Sequence, residues 1–152
     1  MKMRGLALAL CMLAAGAQAA SLGDMVGMLA GYPNSRGDDR GIDEALANLS
    51  MHMNRKVPLM VDADTRLDRV TAEPGHKLSY HYSLTAPPKN AMSSKEFVKL
   101  IRPMLQQRLC ASGEMKGFLE NGVTIAYVYR GIDGRPLGAT QFQPSDCGYP
   151  KT

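Results

Sequence analysis

Two stretches of this chain carry large apolar residues at every second position, and that period leaves little choice of local structure. In Lys77–Thr85, Leu78, Tyr80, Tyr82 and Leu84 face one way, and Ser79, His81 and Ser83 face the other. In Val123–Arg130, Val123, Ile125, Tyr127 and Tyr129 form the same kind of stripe. Successive strand side chains point to opposite faces, so a period of two predicts strands here. The two stripes echo each other, Leu78-x-Tyr80-x-Tyr82 against Ile125-x-Tyr127-x-Tyr129. The echo reads either as a structural pseudo-repeat or as the composition that strands favour. Tyrosines at this spacing cover a core edge, or else line a groove for a ligand.

The flanking segments complete the pattern. Val57–Thr71 is expected to be extended and to pair with Lys77–Thr85 through the turn Glu73-Pro74-Gly75-His76. Arg135–Gln143 is the expected return strand after the turn signal Asp133-Gly134. Ile42–Asn54 places Ile42, Ala45, Leu46, Leu49 and Met53 on one helical face, with Asp43 and Glu44 in the first turn. Ser93 and Glu96 form a capping box that opens a second helix, whose stripe is Phe97, Leu100, Ile101, Met104 and Leu105. Pro103 lies inside that stripe and predicts a kink or a fresh start. Ser112–Glu120 is expected to hold a short helical turn ended by Asn121-Gly122. The order is α-β-β-α-β-β. It predicts an α+β fold, with an antiparallel sheet of about four strands and two main helices on one face.

The chain of 152 residues has room for one domain with a real core. We place that domain at residues 42–147, followed by a tail at 148–152. Residues 1–19 read as a signal peptide: Lys2 and Arg4 in a basic start, an apolar run from Leu6 to Ala15, and a small-x-small site at Ala17-Gln18-Ala19. The competing reading is an uncleaved anchor, against which Gln18, Ser21 and Asp24 interrupt the apolar run. Residues 20–41 form an expected N-terminal arm and linker. The arm carries Gly23, Gly27 and Gly31 at every fourth position, a spacing that makes membrane contact through residues 21–31 an open alternative. Arg36-Gly37-Asp38 is read as part of a solvated loop.

Export changes the meaning of the cysteines. Removing the leader removes Cys11 and leaves Cys110 and Cys147, which in an oxidising compartment predict one disulfide. It also removes Lys2 and Arg4, so the net charge of +4 falls to about +2. No basic run is interleaved with aromatics, and nucleic acid is not an expected partner.

The densest charge cluster is Asp62-Ala63-Asp64-Thr65-Arg66-Leu67-Asp68. Asp62, Asp64 and Asp68 begin like a calcium loop, but Arg66 and Leu67 stand where an oxygen ligand and a glycine are needed. No metal and no cofactor is expected. The cluster reads as a solvated strand face, or as a recognition edge of Asp62, Asp64, Arg66 and Asp68 for a protein partner. His52, His76 and His81 show no metal or triad spacing, and no Gly-x-Ser-x-Gly nucleophile motif is present.

Two stretches, Asn54–Asp68 and Gly122–Tyr129, resemble small secreted or periplasmic proteins of Gram-negative bacteria. The resemblance spans about residues 42–147. It implies a periplasmic or secreted location and a single domain, and it carries no activity or functional residue with it. The expectation is therefore a non-enzymatic interaction, inhibitor or envelope-accessory module whose partner is another envelope protein. The alternative is a small envelope hydrolase that assembles a His/Asp site in space, with His81 or His52 as its histidine.

Overall fold

A computed structural model describes residues 39–87 and 92–150. The expected signal peptide, most of the N-terminal arm with its glycines, and the last two tail residues lie outside the described residues.

Helix α1 (Asp39–Asn54) is followed by β1 (Leu59–Met60), β2 (Thr65–Glu73) and β3 (Lys77–Leu84). Helices α2 (Ser94–Ala111) and α3 (Gly113–Glu120) then lead to β4 (Thr124–Arg130) and β5 (Pro136–Phe142), and a 3-10 turn, Pro144–Cys147, closes the fold. The α+β class is as the sequence predicts, and the helices fall where expected except that α1 begins at Asp39, three residues inside the expected linker. The sheet has five strands in the order β1-β2-β3-β4-β5. The fifth arises because the expected extended segment 57–71 folds back on itself. A bend at residues 61–64 splits it into β1 and β2, which pair through Leu59–Leu67 and Met60–Arg66.

One part of the expectation is corrected. The sheet is mixed: β3 and β4 are parallel, and the other three pairings are antiparallel. Parallel neighbours need a long crossover, and α2 and α3 supply it. Consecutive hairpin reasoning misses such a pair, because nothing in either strand records which way its neighbour runs.

Local chemistry explains the helices. The Ser93 hydroxyl accepts from the amide of Glu96, and the Glu96 carboxylate accepts from the amide of Ser93 at 2.8 Å, completing the predicted capping box. Helix α2 runs unbroken through Pro103, which sits on its exposed side. Ser112 caps α3, and Gly122, at φ 76°, takes the left-handed turn into β4.

Both long helices cover the same sheet face. Leu46 and Leu49 of α1 join Leu67, Val70, Leu78, Tyr80 and Ile125 in the core, which Leu109, Phe118 and Phe142 complete from the other flank. Helix α1 is held at both ends by side chains that meet the hairpin. Asp43 accepts from the amides of Gly75 and His76 in the β2–β3 turn, which holds its carboxyl below the usual carboxylate range. Asn54 pairs with the backbone of Val70. Helix α2 lies on β5, where Gly138 makes room for it: a Cβ there would stand 2.6 Å from Val98 Cγ2. Cys110, at the end of α2, is bonded to Cys147, with Cα atoms 5.2 Å apart.

Candidate functional site

With α1 over β2 and α2 over β5, the two central strands carry the tyrosine stripes between the helices. The parallel register sets Tyr80 beside Tyr127 and Tyr82 beside Tyr129. Adjacent strands lie about 4.8 Å apart, so rings at paired positions stack. The centroids are 5.8 Å apart for Tyr80–Tyr127 and 5.2 Å for Tyr82–Tyr129, with the planes inclined by only 20° in each. Phe97 of α2 closes one end, edge-on to Tyr129 at 5.4 Å. The two expected readings of the tyrosines, core edge and groove lining, thus fall on one structure: Tyr80 is buried, and Tyr82, Tyr127 and Tyr129 are half-buried.

This floor is apolar in character but ends in polar atoms. None of the four phenolic hydroxyls has a hydrogen-bond partner among the described residues. Burial pushes the hydroxyls of Tyr127 and Tyr129 up to about 12, and it raises Tyr80 and Tyr82 as well. Stacked phenols reinforce the effect, since a charge on one ring disfavours a charge on the next. The phenols are therefore neutral hydrogen-bonding groups at any physiological pH. Two charges act on Tyr129 with opposite sign: Asp62 raises it and Arg108 lowers it. On α2, next to Phe97, Leu100 and Met104 are 63% and 48% exposed.

The opposite face of the sheet is polar. A β-bulge between Leu67 and Arg69 interrupts the β2–β3 register. Leu67 and Val70 are both in the core, so Asp68 and Arg69 between them both face outward. They border a depression of about 300 Å³, together with His81, Tyr82, Val128 and Arg130.

The residues singled out from the sequence are divided by this geometry. Asp62 and Asp64 sit in the bend at 61–64, where Asp62 accepts from the Asp64 amide at 3.0 Å. Arg66 and Asp68 are on β2 and pair at 2.6 Å. The expected common strand face does not form, because the bend and the bulge both break the alternation on which it rests. The charge of Asp62 acts on Tyr82 and Tyr129, on the helix side, while Asp68 lies on the open side.

The histidines are also separated. His52 is on α1, with Nε2 buried and without a hydrogen-bond partner among the described residues. His76, at φ 57°, is in the β2–β3 turn. His81 is on the open face, with Nε2 2.9 Å from Thr71 Oγ1. Asp68 accepts from Ser83 and Arg66 and makes no hydrogen bond to His81, so no Ser-His-Asp relay is assembled there. Among the described residues no group of three metal-ligating side chains comes together.

Residues 41–136 match the model of a domain of unknown function, DUF8479. The chain belongs to the DUF8479 family. No curated protein matches its sequence. Among solved structures, this DUF8479 chain is similar to a Pseudomonas aeruginosa protein regarded as secreted, at 18% identity and a TM-score of 0.59, over 72% of this chain and 95% of that one. It is also similar to the type II secretion system pilotin AspS of Vibrio cholerae, at 15% identity and a TM-score of 0.56, over 72% and 94%. The type 2 secretion system pilotin EpsS of Vibrio vulnificus gives 11% identity and a TM-score of 0.60, over 74% and 96%. At these identities the likeness is one of fold.

Proposed function

We propose that this DUF8479 protein is an exported, non-enzymatic accessory of the Gram-negative envelope, which holds an apolar segment of another envelope protein against the tyrosine floor between α1 and α2. The observation that carries the reading is the ladder Tyr80, Tyr82, Tyr127 and Tyr129. Tyr80 anchors the ladder in the core, the half-buried rings of Tyr82, Tyr127 and Tyr129 offer apolar surface at low conformational cost, and the neutral hydroxyls have no hydrogen-bond partner among the described residues. Exposed Leu100 and Met104 extend that surface along α2. Asp62 and Arg108 supply charges of opposite sign at its rim, where they select orientation more than affinity. The fold shared with two type II secretion pilotins supports an envelope-assembly role over a catalytic one. Export through the leader at residues 1–19 belongs to the same reading. In it the four charges expected as one recognition edge divide, Asp62 at the rim of the floor with Asp64 beside it in the bend, and Arg66 and Asp68 away from it.

The test is a cross-linked pull-down of the tagged, exported chain from its own envelope, identified by mass spectrometry. One dominant partner is expected, and it should be lost when Tyr82→Ala is combined with Leu100→Glu. Equal capture by that variant, or no partner at all, would sink the reading.

A further inference from the structure

On the open face, three neighbouring strands bring Arg69, His81 and Val128 into one row: Arg69 pairs with His81, and His81 with Val128. Arg130 stands one step beyond Val128 on its face of β4, opposite Ser83. Two irregularities flank the row. The bulge at Asp68 turns Arg69 outward, and a second shift, between Tyr129 and Arg130, precedes the last β4–β5 pair, Arg130–Pro136. Bulges of this kind re-aim side chains beside binding sites.

The charges are unequally satisfied. Arg66 and Ser83 occupy the two carboxylate oxygens of Asp68. Arg69 and Arg130 make no side-chain hydrogen bond or ion pair among the described residues. The depression is thus bordered by one carboxylate held by Arg66 and Ser83 and by two guanidinium groups without an ion pair among the described residues, Arg130 acting on Asp68 only at longer range. Burial and the charge of Arg69 hold His81 below the usual histidine range, with Arg130 adding to the effect and Glu73 and Asp68 opposing it.

We infer that this depression binds a phosphate group, gripped from opposite sides by Arg69 and Arg130 with His81 beneath it. A planar carboxylate presents one edge on which a single guanidinium fork fits bidentately. A tetrahedral oxyanion has oxygens enough for two forks approaching from separate strands. The apolar floor at Val128 and the volume of about 300 Å³ suit a phosphate with a small substituent. The phosphate belongs either to a free small molecule or to a lipid headgroup. The site lies on the face away from the tyrosine floor and does not depend on what that floor binds.

The experiment uses the full exported chain and two probes at moderate salt. Inorganic phosphate is titrated while the His81 ring resonances are followed by NMR. Phosphatidylglycerol vesicles are compared with phosphatidylcholine vesicles by co-sedimentation. Saturable binding of phosphate is expected, weakened at least about tenfold by Arg69→Gln or by Arg130→Gln and unchanged by Lys116→Gln on α3. Vesicle binding with the same arginine dependence, without response to inorganic phosphate, assigns the phosphate to a lipid headgroup. Binding of neither probe up to about 10 mM phosphate, or binding indifferent to both arginines, overturns the site. Both arginines are exposed, so their replacement leaves the core intact.

Discussion

The side-chain amide of Asn54 donates to the carbonyl of Val70 and accepts from its amide, both at 2.8 Å. Strand β1 covers β2 only at Leu67 and Arg66, so Val70 would otherwise present an unpaired strand edge. One carboxamide at the last residue of α1 therefore continues the sheet where β1 has run out, and locks the helix to it. We expect Asn54→Ala to destabilise the chain by about 2 kcal/mol, since two backbone groups lose their partner. Asn54→Asp should cost as much or more, because it keeps an acceptor and loses the donor. Urea denaturation of the three proteins checks this. A midpoint unchanged in Asn54→Ala would show that water replaces the amide without loss.

The contact between α2 and β5 depends on a missing side chain. At Gly138 a Cβ would meet Val98 Cγ2 at 2.6 Å and Phe97 Cδ1 at 3.4 Å. Gly138→Ala should cost about 1–3 kcal/mol through overpacking. Adding Val98→Ala should recover part of the loss, because the Val98 methyl is what the new carbon meets. Thermal melts of the single and double variants measure the recovery, and strictly additive losses would disprove the steric cause.

Cys110 and Cys147 are 37 residues apart in sequence. Joining them restricts the unfolded chain and should stabilise the fold by about 4 kcal/mol on the chain-entropy model. The double change Cys110→Ala with Cys147→Ala should lower the denaturation midpoint accordingly. Reductant should do the same to the parent protein and leave the variant untouched.

Alkaline pH should unfold the protein through the tyrosine ladder. In the fold Tyr127 and Tyr129 ionise at about 12, above the value of 10.0 that unfolded tyrosine takes. Between those values the unfolded chain has released protons that the native chain retains. The stabilisation is thus fully present below pH 10 and is lost as pH rises toward 12. Phenolate absorbance should show a cooperative rise well above pH 10 that coincides with loss of the far-ultraviolet signal. A single transition near 10 while the fold persists would rule out the buried ladder.

The elements themselves were legible in the sequence because their signals are local. Leu78, Tyr80 and Tyr82 alternate whatever lies beside them, and Ser93 with Glu96 caps a helix from within four residues. The expectation of a leader at residues 1–19 rests on signals of the same local kind. The candidate sites depend on relations between distant residues. The floor is continuous because β3 and β4 run parallel with Tyr80 beside Tyr127, a choice made by the crossover of α2 and α3. The acidic run read as one face because alternation was assumed to persist. The bend at 61–64 moved Asp62 toward the tyrosines, and one extra residue in β2 turned Arg69 outward beside Asp68.

The sequence by itself determined which segments are helical or extended and which face of the tyrosine strands is buried, because those follow from periodicity and capping within a few residues; the start of α1 at Asp39, the break in segment 57–71 and the exposure of Leu100 and Met104 did not follow from it. Only the tertiary structure decided which strands are neighbours, in what direction and register, and so which side chains converge. Register is set by burying apolar faces from opposite ends of the chain against one another, and a one-residue slip or bulge reverses which face a side chain serves.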